Sequence, residues 1–215
     1  MDNISIIRGI LFVGFLVLFG IIQWMRPSRK PEKGRWKFML SNLVLVLINN
    51  IAIMFMPLIP YGMATIGADN NLGLFNIIAL PSVIEIISAI ILLDVIIYFQ
   101  HRLFHKVNWL WRLHRMHHTD SLLDTTTGLR FHPLEILISN FIKVFSILVL
   151  GVSPMAVILF EIILNTLAMF NHSNIKIPDS LEKIMSKVLI TPALHTIHHS
   201  IIKKETQSNF GFSVP

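Results

Sequence analysis

Long apolar runs, each close to the thickness of a bilayer, constrain this chain more than any other feature. Residues 4–24, 38–58 and 82–99 carry few charges, and each approaches the roughly 20 apolar residues that cross a membrane as an α-helix. Two shorter runs, 134–150 and 154–170, are joined by the turn sequence GVSP and predict a helical hairpin. The sequence therefore predicts an all-α integral membrane protein with four to five transmembrane or membrane-dipping helices.

The proportion of charged residues supports this class. Charged residues make up 14% of the 215 residues, whereas a soluble domain carries roughly 25%. The chain has no cysteine, which excludes a disulfide scaffold, a thiolate metal site and a cysteine nucleophile. We expect one membrane domain over 1–215, with mainly transmembrane helices in 1–100, the first histidine motifs in 101–133, the hairpin in 134–170 and the last histidine motifs in 171–215.

Basic residues are distributed unevenly between the segments that join the apolar runs. Segment 26–37 carries six Lys or Arg, whereas segment 57–81 carries none. Because cytoplasmic loops of membrane proteins are enriched in Lys and Arg, the first segment is predicted to be cytoplasmic and the second external. All ten histidines then lie in cytoplasmic segments or at helix ends facing them, in a bacterial inner membrane or the endoplasmic reticulum. The net charge of +6 suggests loop orientation and not a nucleic-acid partner.

The histidines form three motifs and two isolated sites. HRLFH places two imidazoles at i and i+4, and HRMHH and HTIHH each place three at i, i+3 and i+4, which is one face of a helix. Neutral imidazole is a good ligand for iron, zinc, copper and nickel, and it is available at pH 7. The ten candidate metal ligands are His101, His105, His114, His117, His118, His132, His172, His195, His198 and His199.

The number of imidazoles indicates a site with two metal ions, since a single ion takes four to six ligands. HRLFH has the spacing of a zinc metalloprotease motif, but Arg102 stands where the general base Glu is required. Soluble di-iron bundles use Glu ligands, whereas carboxylates are scarce here. A non-catalytic or metal-transporting membrane protein could use the same clusters, although a transporter would more often place polar groups along a crossing path.

Taken in order, the motifs HRLFH, HRMHH, NHSN, TPALHTIHH and NFG resemble the fatty acid hydroxylase / sterol desaturase superfamily of membrane di-iron oxygenases. The resemblance extends from about Asp94 to Phe212. The family also carries an acid and an aromatic residue before its first histidine, here Asp94 and Tyr98, which share a helical stripe with His101 and His105. We expect Asp94 to orient a ligand histidine through its free ring N–H, or alternatively to be a structural acid.

The resemblance implies two iron ions as cofactors, with zinc possible in preparations, and O2 as a co-substrate. It implies hydroxylation or desaturation of a membrane lipid, sterol, fatty acyl or related, with no catalytic side chain beyond the metal centre. Electrons would come from a separate donor of cytochrome or ferredoxin type. The family normally continues with a Trp-Asp and Phe-Gly-Thr segment after the point where this chain ends in SVP, so we expect the chain to stop before that segment.

Two further expectations concern charged side chains. Lys143 and Glu161 lie at similar depth in the predicted hairpin, so they are expected to form an ion pair, with snorkelling of Lys143 as the alternative. The basic residues near the histidines suggest a docking face for an acidic donor, or only the loop orientation described above. These basic residues are Arg102, Lys106, Arg112, Arg115 and Arg130.

Overall fold

The computed structural model describes residues 3–120 and 122–215. In those residues the chain is helical and contains no β-strand beyond one isolated bridge between Pro27 and Ile175. The described helices are α1 (Asn3–Met25), α2 (Arg35–Met54), α3 (Pro60–Asp69), α4 (Leu74–Ile78), α5 (Ser82–Lys106), α6 (Asn108–His114), α7 (Pro133–Leu150), α8 (Pro154–His172), α9 (Asp179–Met185), α10 (Pro192–His198) and α11 (Lys203–Thr206).

Five of these helices, α1, α2, α5, α7 and α8, are long and apolar enough to cross a membrane. The all-helical membrane fold predicted from the sequence is therefore confirmed, at the upper limit of the predicted helix number. The hairpin helices α7 and α8, with 18 and 19 residues, are shorter than the other three candidate spans but are still long and apolar enough for a full crossing.

Capping residues and prolines begin several of these helices. The Ser153 hydroxyl accepts a hydrogen bond from the Ala156 N–H at 3.3 Å, and Pro154 occupies the first position of α8. Thr191 caps α10 in the same way, again followed by proline. Proline suits this position because it has a helical φ and the missing N–H would have no partner there.

Two glycines bring the connection between α3 and α4 against the hairpin turn. Gly73 and Gly151 adopt φ of 90° and 69°, a region that other residues rarely occupy. A Cβ on Gly73 would also collide with the backbone nitrogen of Gly151. The Glu85 carboxylate of α5 holds the same turn, because it accepts hydrogen bonds from the Ser153 N–H at 3.0 Å and the Ser153 hydroxyl at 2.8 Å.

The apolar core lies between α5, α7 and α8, with α3 packed against it. Helix α1 lies along α8, where Phe19 contacts Phe170 with ring centroids 5.7 Å apart. Helix α2 packs against α7 and against the loop before it. The core residues that α5, α7 and α8 contribute include Leu93, Ile97, Val144, Ile147, Val157 and Phe160.

A buried ion-pair cluster fixes the loop that follows α6. Arg35, at the start of α2, donates to Asp120 through Nη1 at 2.6 Å and to Asp124 through Nε at 2.6 Å. Both carboxylates are buried. Asn42, two turns further along α2, donates to the Thr126 hydroxyl at 2.9 Å. Helix α2 thereby holds the segment that carries the middle histidine motif.

Candidate metal centre

Nine of the ten predicted histidines come together in two adjacent groups. Within each group one ring nitrogen per residue lies within 4.8 Å of the others, and neither group includes a carboxylate among the described residues. We call them the five-histidine group and the four-histidine group. The five-histidine group consists of His101, His105, His114, His118 and His198. The four-histidine group consists of His117, His172, His195 and His199.

Helix ends position these side chains. The last two turns of α5 carry His101 and His105, and the last turns of α6 and α8 carry His114 and His172. A short 3-10 turn and the end of α10 carry the others. Each HxxHH motif supplies both groups. In the last motif, for example, His198 belongs to the five-histidine group, whereas His195 and His199 belong to the four-histidine group. The two motifs therefore hold the groups side by side.

In the five-histidine group, three rings bind protein acceptors through Nδ1. Since a carbonyl or carboxylate oxygen only accepts, each of these Nδ1 atoms must carry the proton, and the lone pair of the neutral ring is then on Nε2. The three contacts are His101 Nδ1 to the Phe210 carbonyl (2.8 Å), His198 Nδ1 to the Ser208 carbonyl (2.7 Å) and His114 Nδ1 to the Glu135 carboxylate (2.6 Å).

The Nε2 atoms of the same three rings converge. His101 Nε2 lies 3.0 Å from His114 Nε2 and 3.1 Å from His198 Nε2. With the protons on Nδ1, none of these nitrogens donates to another, so three lone pairs face one another at close range. Such an arrangement is repulsive without a cation between the rings, and it is the geometry of imidazole ligands around a metal ion.

The four-histidine group repeats the pattern. His117 Nδ1 donates to the Arg130 carbonyl at 3.1 Å and His172 Nδ1 to the Ala168 carbonyl at 2.7 Å. Their Nε2 atoms lie 2.9 Å apart, and His195 Nε2 lies 2.9 Å from His172 Nε2. Here too, unprotonated nitrogens face one another, so the residues present fit a second metal ion.

Several buried ring nitrogens in both groups have no hydrogen-bond partner in the described structure. Buried polar atoms rarely remain unpaired, so these atoms need a partner that the protein does not supply. A metal ion is such a partner. The unpaired nitrogens are Nε2 of His105, Nε2 of His118, Nδ1 of His195 and both ring nitrogens of His199.

Burial keeps the rings neutral and ready to bind a metal. Loss of solvation, followed by the charges that neighbouring imidazoles would carry, lowers the pKa of the rings outside the membrane helices well below its ordinary value. At pH 7 these rings therefore keep their lone pairs. The rings concerned are those of His114, His117, His118, His195, His198 and His199.

His132 is the one predicted ligand that the structure places outside both groups. It caps α7, where its Nδ1 accepts a hydrogen bond from the Leu134 N–H at 3.1 Å. The sequence RFHP is compatible with an isolated metal ligand, but it is equally typical of a helix N-cap, here His132, followed by proline in the first helical position.

The acid and the aromatic residue before the first motif face the C-terminal segment. Asp94 accepts a hydrogen bond from the Ser213 hydroxyl at 2.6 Å, and the Tyr98 ring lies 6.3 Å from that of Phe210. Neither side chain hydrogen-bonds a histidine in the described part of the chain. Asp94 is therefore linked to His101 only indirectly. It binds Ser213, and Phe210 of the same C-terminal segment accepts the hydrogen bond from His101 through its carbonyl.

Glu135 is the carboxylate that contacts a clustered histidine, and the sequence argument did not find it. Its side chain is 4% exposed, and its Oε1 accepts the His114 Nδ1 proton at 2.6 Å. The sequence feature that could have indicated Glu135 is its position as an acidic residue in the first turn of an otherwise apolar helix, shortly after His132 and Pro133. Such a buried acid requires a local partner.

One cavity opens onto the histidines, and a second is lined by a residue that contacts one of them. One, of about 690 Å³, opens beside His118 and His199 and is rimmed by Lys106, Arg115 and Lys203. The other, of about 460 Å³, is a cleft between the membrane helices α1, α2, α7 and α8. Phe131 lines one end of this cleft, and its ring stacks on His117 with centroids 4.5 Å apart.

Five helices that are long and apolar enough to span a membrane and two adjacent all-imidazole groups characterise a membrane protein with histidine clusters that could hold metal. Residues 86–215 match the fatty acid hydroxylase family, and the chain belongs to this family. This agrees with the superfamily that the ordered histidine motifs indicated.

Relatives share similar levels of identity with the chain. It is 26% identical over 132 residues to the ornithine lipid hydroxylase OlsE of Rhizobium tropici, covering 61% of this chain and 39% of that protein. It is 29% identical over 133 residues to sphinganine C4-monooxygenase 1 of Arabidopsis thaliana, covering 61% of this chain and 49% of that protein. It is 26% identical over 118 residues to human cholesterol 25-hydroxylase, covering 54% of this chain and 43% of that protein. The matches thus span less than half of each relative. No solved structure gives a significant match to the chain.

Proposed function

We propose that the chain forms a membrane di-iron oxidoreductase that uses O2 to hydroxylate or desaturate a lipid. The observation that carries this proposal is the convergence of Nε2 lone pairs from His101, His114 and His198, repeated in the four-histidine group. Membership of the fatty acid hydroxylase family supports the reaction class, and the relatives are named as hydroxylases or a monooxygenase of lipids.

The proposed ligands are the five and the four histidines of the two groups, one ion to each group. His132 is left out because it lies outside both groups. When bound, the iron pair supplies the oxidising power that an unactivated C–H bond requires and that acid–base side chains lack. Hydroxylation as a whole consumes O2, two electrons and two protons, and yields an alcohol and water; desaturation yields a double bond and two waters. Zinc would occupy the same imidazoles without this redox chemistry.

The protein's own residues orient the rings and keep water away from them. Glu135 fixes the tautomer and direction of His114, and the backbone carbonyls of Phe210 and Ser208 do the same for His101 and His198. Most of these rings are buried, although the 690 Å³ cavity opens beside His118 and His199. For an apolar substrate the proposed route is the cleft between the membrane helices, which is lined by Phe131.

The lipid substrate is proposed to enter this cleft from the bilayer, since α1, α2, α7 and α8 form its walls. Electrons are proposed to come from a separate cytochrome or ferredoxin. Lys106, Arg112 and Arg115 are exposed near the 690 Å³ opening and suit an acidic donor. Arg130 is less suited, because its guanidinium donates to the Met116 carbonyl at 3.1 Å and the Asn42 side chain at 2.9 Å.

The histidine groups are proposed to face the cytoplasm, in a bacterial inner membrane or the endoplasmic reticulum. The charge difference between segments 26–37 and 57–81 supports this orientation. Accessibility tags at Ala68 and Lys204 should label from opposite sides of the membrane. Labelling from the same side would contradict the orientation.

The reaction is tested by comparing lipids from cells that express the wild-type chain with lipids from cells that express His198→Ala, under ¹⁸O2. Wild type should yield lipids that carry ¹⁸O or an added double bond, and His198→Ala should yield neither at comparable protein levels. Altered metal uptake without oxidised lipid would favour a transporter. Unchanged lipids together with unchanged metal uptake would favour a non-catalytic protein. Equal lipid oxidation in wild type and variant would contradict the proposed ligand role of His198.

A further inference from the structure

The connection between α8 and α10 presents an apolar face that is largely exposed. It consists of α9 and the turn that follows, residues 179–189, which we call the 179–189 segment. Helical hydrogen bonding continues past the end of α9, since the Val188 N–H donates to the Met185 carbonyl at 3.0 Å. Leu181, Ile184 and Val188, at i, i+3 and i+7, therefore lie on one side of the segment. Their side chains are 48%, 65% and 60% exposed.

The polar side of the same segment carries basic residues. Lys183 and Lys187 are four positions apart, and both are exposed. Residues 176–187 and the adjoining segment 26–37 together carry nine Lys or Arg and three Asp or Glu. A helical stretch with an apolar face and lysines on the other side is typical of segments that lie in the interface of a bilayer.

The 179–189 segment also begins where two of the candidate spans end. Just beyond the ends of α1 and α8, the two chains pair through their backbones. The Lys176 N–H donates to the Arg26 carbonyl at 2.9 Å, and the Ser28 N–H donates to the Asn174 carbonyl at 2.9 Å. Trp24, in the last turn of α1, is 81% exposed, and tryptophan is enriched at the level of lipid headgroups. The segment thus starts at the surface of the bilayer.

We propose that the 179–189 segment docks on an anionic lipid surface, in the leaflet on the histidine side of the protein. Leu181, Ile184 and Val188 insert below the headgroups, while Lys183 and Lys187 contact lipid phosphates. The position beside two span ends places lipid next to the exposed apolar face. Charge favours the same occupant, because anionic lipids attract basic segments that adjoin a membrane helix.

Docking of this segment would also fix the height of α10 relative to the bilayer. The hydroxyl of Thr191, the residue that caps α10, donates a hydrogen bond to the Glu182 carboxylate of α9. Helix α10 carries His195 and His198, which belong to different histidine groups. The 179–189 segment is therefore an anchor for the helix that contributes to both groups. The inference goes beyond the proposed reaction and does not depend on it.

The test measures how deeply each face of the segment lies in the bilayer. Because the chain has no cysteine, each single substitution creates one labelling site. Nitroxide labels are attached to Ile184→Cys and Val188→Cys on the apolar face, and to Lys183→Cys on the polar face as the matched control. The zinc-loaded full chain is placed, one copy per disc, in nanodiscs of phosphatidylglycerol and phosphatidylcholine. Collisions of each label with O2, which concentrates among acyl chains, and with a water-soluble nickel chelate are measured by electron paramagnetic resonance.

The two faces should differ in opposite directions. Labels at Ile184→Cys and Val188→Cys should collide mainly with O2, whereas the label at Lys183→Cys should collide mainly with the nickel chelate. Frequent collisions with the nickel chelate at all three positions would show a face in water and would overturn the proposal. Shielding of the two apolar positions from both reagents would show that protein covers them, and this too would overturn it.

The lipid charge is tested on the Ile184→Cys background. A lysine near an anionic surface shifts the ratio of docked to undocked segment by about 5-fold. Lys183→Gln and Lys187→Gln should each lower this ratio by about that factor in discs that contain phosphatidylglycerol, and should leave it unchanged in discs of phosphatidylcholine alone. Equal insertion of the label in both kinds of disc, with no effect of either glutamine, would overturn the proposed anionic lipid surface.

Discussion

Replacing Glu135 with glutamine should weaken metal binding without unfolding the protein. The Glu135 carboxylate accepts the His114 Nδ1 proton at 2.6 Å and is 4% exposed. The glutamine oxygen can still accept this proton, so the ring keeps its direction but loses the neighbouring charge. Hydrogen bonds to charged groups are worth about 1.5–3 kcal/mol and neutral ones about 0.5–1.5 kcal/mol. The difference of about 1 kcal/mol corresponds to about a 5- to 10-fold loss of affinity.

The assay is competition for zinc between the protein and a chelator of known affinity, with a melting curve of the metal-free protein measured in parallel. Glu135→Leu, which removes the hydrogen bond as well, should lose up to about 100-fold in affinity. The metal-free Glu135→Gln protein should be at least as stable as wild type, because a buried carboxylate is costly to desolvate. Glu32→Gln, at an exposed position, is the matched control. Wild-type zinc affinity in Glu135→Gln would refute the role assigned to this carboxylate.

Four further substitutions test other parts of the site. Arg35→Met leaves two buried carboxylates without a cation and should lower the free energy of unfolding, measured by chemical denaturation, by about 3–5 kcal/mol. A loss below about 1 kcal/mol would contradict the stabilising role of this ion-pair cluster. Asp94→Asn and Ser213→Ala should each lower metal affinity by less than about 10-fold, because Asp94 is linked to His101 only through the C-terminal segment. A larger loss would indicate that Asp94 contacts a ligand histidine directly. His132→Ala should still bind two metal ions, and its free energy of unfolding should fall by about 1 kcal/mol, as on removal of a helix cap. Loss of a bound metal ion in this variant would show that His132 is a metal ligand.

The helices could be predicted because the information is local. A run of about 20 apolar residues determines a spanning helix by its own length, and all five candidate spans follow such runs. The pairing of Lys143 with Glu161 was also predictable, since both residues lie at similar depth on either side of one short turn. The histidine spacing correctly indicated that several imidazoles lie close together.

The arrangement of the site could not be read from local spacing. Residues at i, i+3 and i+4 share a helix face, yet each HxxHH motif is divided between the two groups. The expectation of one helix face is wrong for HRMHH, because α6 ends at His114 and His117 and His118 lie in a separate 3-10 turn. The contact of Glu135 with His114 joins two helices, and that of Arg35 with Asp120 spans 85 residues. Such contacts depend on how the helices pack, and no periodicity in the sequence specifies them.

Metal content tests the central claim most directly. The folded full-length chain, purified and loaded with iron under anaerobic conditions, should contain two ions. His198→Ala and His172→Ala each remove a ring from a different group and should each reduce the content, while His132→Ala should not. One ion or none per folded wild-type chain, or unchanged content in both His198→Ala and His172→Ala, would contradict the dinuclear histidine site.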